Sequence, residues 1–195
     1  MRLVVGLGNP EPSYRRNRHN AGFRVVDLVA DRAGVPLRER FRALFWQGLL
    51  AGQQVALLKP LTFMNLSGES VAAAAKFFKL APADILVVHD DLDLPFGRLQ
   101  IKQGGGHGGH NGLRSMVSLL GSPDFARLRV GIGRPPPGWD PVDFVLGDFT
   151  DAEEEALAAI LPRAADAVRS AVALGVGKAM NEFNARGLAS REKKV

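Results

Sequence analysis

Ile85-Leu86-Val87-Val88-His89-Asp90-Asp91-Leu92-Asp93 carries four aliphatic residues without a polar break straight into a histidine and three carboxylates. So short an apolar run, ended by polar residues, reads as a strand buried on both faces, the kind found in sheets covered by helices on each side. Leu3-Val4-Val5, closed by Gly6, has the same form. Between the two lies a segment from Gly22 in which Phe23, Val26 and Ala30 fall at helical spacing, ending near Gly34-Val35-Pro36. Strand, helix and buried strand in this order predict an α/β domain. It is built on one twisted mixed sheet with helices on both faces.

The remaining segments fit that frame. Ala43 to Leu50 and Gln53 to Lys59 flank Ala51-Gly52 as a hairpin, and Pro60 stops the second strand. The spacing predicts a helix over 71–80, with Val71, Ala75 and Phe78 inward, and a second over 113–120 opening at Asn111. Arg98 to Lys102 reads as extended. Leu128, Val130 and Ile132 alternate with Arg127, Arg129 and Gly131, which sets both arginines on one strand face. Thr150-Asp151-Ala152-Glu153 matches a capping box ahead of a long helix that Pro162 is expected to kink. A short helix over 178–185 closes a single domain spanning 1–185. Residues 186–195 form a charged tail expected to fray.

The 195 residues include no cysteine, which excludes disulfides, thiolate metal sites and thiol nucleophiles. No run approaches the 18 or so apolar residues of a membrane span, so the expectation is a soluble cytoplasmic protein. The formal net charge is +5 and the pI about 10.0. The excess sits in residues 1–60, with 10 Lys and Arg against 4 Asp and Glu. Arg15, Arg16 and Arg18 around a polar loop point to a polyanionic partner, because phosphate contacts gain affinity by releasing counterions.

Four polar or glycine-rich segments could bear chemistry: Gly6 to Pro10, Arg18 to Gly22, Phe63 to Gly68, and His89 to Gly112. Ligand crevices of open α/β sheets form outside the carboxyl ends of strands, where such loops converge. The first is not a dinucleotide fingerprint, since Glu11 replaces the third glycine. His19, with an ordinary pKa of about 6.5, is a candidate general base or a structurally bonded loop histidine. His89 reads as a satisfied strand-end histidine. Asp90, Asp91 and Asp93 are candidate metal ligands, turn formers or an orienter for a histidine. His107 and His110 would be metal ligands in a rival metallohydrolase reading. Asn9, Asn65 and Asn111 are either turn and cap residues or neutral donors aimed at a carbonyl.

Taken together, GLGNP (6–10), Tyr14, RHNAG (18–22), KPLTFMNLSG (59–68), HDDLDLPFG (89–97), GGGHGGHNGL (104–113) and RLRVGIGRP (127–135) closely resemble bacterial peptidyl-tRNA hydrolase, in family order and spacing. The resemblance implies a monomeric α/β enzyme without metal, cofactor or obligate protein partner. It would cleave the ester between a peptide and the 3′-terminal ribose of tRNA, binding tRNA through its acceptor stem and 3′ end. It implies that His19 draws a proton from the attacking water, that Asp90 keeps it basic, and that Asn9 distinguishes N-blocked from free aminoacyl-tRNA. Tyr14, Phe63, Asn65 and Asn111 would contact the 3′ end and peptide, and Lys102 and Arg129 the 5′-phosphate. Asp91 stands where relatives commonly have glutamate. A rival reading is a non-catalytic RNA-binding protein that keeps the crevice.

Overall fold

In the computed structural model, residues 1–185 are described; the expected tail over 186–195 lies outside them. Among the described residues one sheet takes all seven strands: β1 (Arg2–Gly6), β2 (Arg38–Arg40), β3 (Ala43–Leu50), β4 (Gln53–Pro60), β5 (Ile85–Asp91), β6 (Leu99–Gln103) and β7 (Ala126–Gly131). Their spatial order is β2-β3-β4-β1-β5-β7-β6. β1 runs parallel to β4 and β5, and β5 parallel to β7, while β2, β3 and β6 join antiparallel. The carboxyl ends of β1, β4, β5 and β7 therefore open at one edge, where ligand crevices of such sheets form.

Among the described residues six α-helices accompany the sheet: α1 (Ala21–Ala33), α2 (Ser67–Phe78), α3 (Asn111–Leu120), α4 (Pro141–Leu146), α5 (Asp151–Leu174) and α6 (Val176–Phe183). Alternation along the buried strands feeds two cores. Val4, Leu57, Val88 and Leu128 pack with α1, α5 and α6; Leu3, Leu58 and Val87 pack with α2 and α3 on the other side. The second core thins out beyond β5. There the residues that share the face of Val87 are Arg127 and Arg129 on β7, then Gln100 and Lys102 on β6. This polar strip, left uncovered by α2 and α3, is the floor of a cleft.

Expectation and structure part in three places. α2 starts at Ser67 instead of Val71, with Ser67 Oγ donating to the Met64 carbonyl. The proline-rich stretch continues into α4, whose start was written in Asp140-Pro141: the Asp140 carboxylate accepts from Val142 N–H at 2.7 Å, and proline suits a first helical position. The short edge strand β2 was not anticipated. The long helix expected behind the capping box is α5, which holds Pro162 within its 24 residues. The hydrogen bond that proline cannot make frees the carbonyl of Ala158, an exposed residue.

α1 approaches the sheet at Gly22, where a Cβ would stand 2.2 Å from the Val88 carbonyl oxygen and 2.6 Å from the Leu7 nitrogen. Both are backbone atoms, one in β5 and one just past the end of β1, and cannot rotate aside. Gly22→Ala should cost about 1–3 kcal/mol as an overpacking change, read as a lower urea midpoint. A midpoint equal to wild type would show that the helix can stand off from the sheet.

Candidate active site

The chain leaves β1 through Leu7, whose N–H donates to the Val88 carbonyl at 3.0 Å and whose carbonyl accepts from Phe23 N–H at 3.1 Å. Asn9 follows at the strand mouth. Its N–H donates to Asn20 Oδ1 at 2.8 Å, and Asn20 Nδ2 donates back to the Asn9 carbonyl at 2.9 Å. Asn9 Oδ1 accepts from Met64 N–H at 2.9 Å. The acceptor half of the carboxamide is thereby occupied, and the Nδ2 donor is what remains for a ligand.

His19 sits in a single 3-10 turn, Arg18–Asn20, at the entry to α1. It is buried, 8% exposed, instead of lying in an open loop. Its Nδ1 lies 2.9 and 3.0 Å from the two carboxylate oxygens of Asp90. Asp90, from the carboxyl end of β5, is 2% exposed, and its Oδ1 also meets His110 Nε2 at 2.9 Å. His110 caps α3, its Nδ1 accepting from Leu113 N–H, so its remaining proton is the one that points at Asp90. His89 Nδ1 donates to the main-chain carbonyl of Asp90 at 2.7 Å.

The charges follow from these contacts. Burial works to raise the Asp90 carboxyl, but His19 and His110 together hold it well below the usual carboxylate range. Burial works to lower His19, and the charge and hydrogen bond of Asp90 outweigh it, so its pKa stands above the ordinary 6.5. His89 is pushed down to about 3 by burial and by neighbouring His110. An ionised Asp90 takes the proton of His19 Nδ1 as a hydrogen bond. The imidazole Nε2 has no hydrogen-bond partner among the described residues.

A cavity of about 730 Å³ brings Asn9, Tyr14, His19, Phe63, Asn65, Asp90, Lys102, Asn111 and Arg129 onto one lining. Sequence reasoning gave one contributor a different role and overlooked three others. His110 gave no sign of pairing with Asp90 beyond its place between a glycine loop and a helix. Val142, Val145 and Leu146 form an apolar wall on a helix that the prolines concealed. The basic residues also divide differently than expected. Arg18 is buried in an ion pair with Glu153, and Arg16 pairs with Asp151 and Glu154, so neither is a free phosphate ligand. Arg127 is buried and donates to the carbonyls of Gly105 and Gly106, bracing a loop in which Gly105 adopts φ +107°, a region open to glycine. Lys102 remains exposed over Gly105. Arg129 pairs with Asp91 at 2.7 Å.

The metallohydrolase arrangement is not assembled among the described residues. Asp91 and Asp93 are occupied by Arg129 and Arg134, and His107 Nδ1 accepts from Gly109 N–H within its own loop. The three donors that do converge, from His19, Asp90 and His110, all lie within 4.8 Å and are the hydrogen-bonded group already described.

The family model described as peptidyl-tRNA hydrolase matches residues 3–193. A peptidyl-tRNA hydrolase of Geobacter sp. strain M21 is 53% identical over 186 residues, covering 95% of this chain and 98% of its own length. One from Frankia casuarinae is 54% identical, covering 94% and 93%. Among solved structures, a peptidyl-tRNA hydrolase in complex with n-propanol superposes with a TM-score of 0.90 at 41% identity, covering 96% of each chain. The enzyme from Acinetobacter baumannii superposes with a TM-score of 0.89 at 41% identity, covering 95% of each.

The opposed influences on His19 can be separated. Asp90→Asn keeps an acceptor oxygen and removes the charge, leaving burial unopposed, so the His19 pKa should fall from above 6.5 to below it. An NMR titration of the imidazole reads this directly. A value still above 6.5 would show that another group sustains the shift.

Proposed function

Because the chain belongs to the peptidyl-tRNA hydrolase family, its activity is hydrolysis of peptidyl-tRNA, and we propose that His19 acts as general base on the attacking water. Asp90 holds the Nδ1 proton, so the Nε2 lone pair is directed to the water and the developing imidazolium meets a fixed negative charge. The water attacks the ester carbon joining the peptide to the 3′ oxygen of the terminal ribose. Asn9 Nδ2, oriented by its acceptor bond from Met64, donates to the carbonyl oxygen as charge builds there, with Asn65 and Asn111 beside it. Collapse of the tetrahedral intermediate breaks the ester bond, and the imidazolium returns its proton to the ribose oxygen. Free tRNA and a peptide acid leave. The observation that carries this reading is the contact of Nδ1 with the buried Asp90 carboxylate at 2.9 and 3.0 Å.

The basic strip of β6 and β7 is the tRNA end of the cleft. Lys102 and Arg129 hold the 5′-phosphate of the acceptor stem, a contact that positions without reading sequence. Tyr14 and Phe63 offer rings to the sugar and base of the 3′ end; Phe63, 52% exposed, is available to do so. All nine residues come from one chain, which suits a monomer acting in the cytoplasm, where translation supplies the substrate. No helix among the described residues is long and apolar enough to cross a membrane.

His19→Ala should lower hydrolysis of N-acetylaminoacyl-tRNA by about 10² to 10⁴-fold, the usual worth of a positioned base, with tRNA binding nearly intact; turnover near wild type would remove His19 from the role. A base must be unprotonated, so activity should fall as pH drops through the raised His19 pKa, placing the acidic limb above pH 6.5. EDTA should leave the rate unchanged, whereas a metallohydrolase would lose it. Lys102→Ala should reduce the salt dependence of tRNA binding by about one unit of log–log slope. Arg129→Ala should weaken binding further, because it also leaves the Asp91 carboxylate unpaired beside the phosphate.

A further inference from the structure

Arg18 precedes His19 and turns its side chain away from the cleft. Its Nη2 donates to Glu153 Oε2 at 2.7 Å, and its Nη1 donates to the carbonyls of Asp148 at 2.8 Å and Phe144 at 3.4 Å. The guanidinium carbon lies 4.3 Å from the centre of the Phe144 ring. The backbone on either side is bound to the same segment. Arg18 N–H donates to the Gly147 carbonyl at 3.0 Å, Phe149 N–H to the Arg16 carbonyl at 3.1 Å, and Asn17 Nδ2 to the Leu146 carbonyl. On the far side of the turn, the reciprocal bonds of Asn20 with Asn9 supply the other anchor. His19 is the residue between the two.

A three-residue 3-10 turn has little stability of its own, so its position is set by what grips its ends. We infer that Arg18 is a positioning residue for the reaction: its ion pair with Glu153, together with its bonds to the Phe144 and Asp148 carbonyls, joins the His19 turn to the α4 wall and the first turn of α5, and so keeps His19 in register with Asp90. A guanidinium makes this three-way contact because its donors form a rigid fork; a lysine ammonium does not span the same acceptors. Glu153 serves two ends at once, since its Oε2 also accepts from Thr150 N–H at 2.8 Å in the capping box. The latch thus ties a helix start, a cleft wall and the base into one body. The groups that face His19 are Asp90 from β5 and His110 from the loop before α3. On the other elements packed against the turn, Arg24 of α1 is held by Glu154, and neither it nor Asp143 of α4 is hydrogen-bonded to the ring.

The kinetic part of the test rests on His19 being the base, whereas an NMR titration of its ring does not. Glu153→Gln keeps an acceptor for Thr150 and removes the charge that holds Arg18; Arg18→Lys keeps the charge and loses the fork. In either variant kcat on N-acetylaminoacyl-tRNA should fall about ten- to a hundredfold, as expected when a catalytic group is displaced, with KM within about twofold. The His19 titration should move downward as its contact with Asp90 loosens, and Glu153→Asp should recover most of both. Thr150→Val, which breaks the cap and spares the ion pair, should lower the melting temperature and leave kcat and the titration in place. Should Glu153→Gln fail to fold, Arg18→Lys decides. Variants that melt earlier yet keep the wild-type kcat and His19 titration would overturn the inference and reduce Arg18 to a stabilising residue. An active His19→Ala enzyme would overturn the assignment of the base instead, with the titration result still deciding the latch.

Discussion

A carboxylate buried at the end of β5 is the constraint from which the cleft is built. An ionised group removed from water is tolerated only with partners that return most of the lost solvation. Asp90 has two, His19 from the entry to α1 and His110 from the start of α3. These elements lie on opposite faces of the sheet and far apart in sequence, so satisfying one carboxylate draws both helix starts to the same strand mouth. The same charge selects the tautomer of His19 and raises its proton affinity, joining a requirement of folding to a requirement of the proposed chemistry.

The backbone geometry that permits this is tight. Gly22 brings α1 against β1 and β5 at backbone distance, close enough for the turn before it to reach Asp90. Asn20, one residue past His19, orients Asn9, and Asn9 in turn takes its acceptor bond from Met64. His19 and Asn9 are therefore not independently placed. On the remaining side, Arg127 spends its charge on the carbonyls of Gly105 and Gly106, fixing the loop that delivers His110. Cations which look alike in sequence thus divide into internal braces, Arg18 and Arg127, and solvent-facing side chains such as Lys102.

That division marks the limit of what could be read from the chain. The strands β1, β3, β4 and β5 were legible because apolar runs of that length have few alternatives, and α5 because its capping box is a local device. α4 was obscured by three consecutive prolines, although Asp140 before Pro141 is a standard helix start. Local preference alone places the start of α2 late, since Ser67, Gly68 and Ser70 are weak helix formers; their burial against neighbouring elements, seen for Gly68 beside Ser115, overrides it.

Local sequence determined the alternation of strands and helices, the loops that end at the strand mouths, and the residue types available for chemistry, since each follows from side-chain periodicity and turn stereochemistry within a few residues. Tertiary structure decided which of four histidines would meet the carboxylate, which arginines would face inward, and that α4 would wall the cleft. Those outcomes depend on through-space contacts between segments 20 to 135 residues apart, and burial, charge pairing and hydrogen-bond saturation at that range have no signature in the spacing of neighbouring residues.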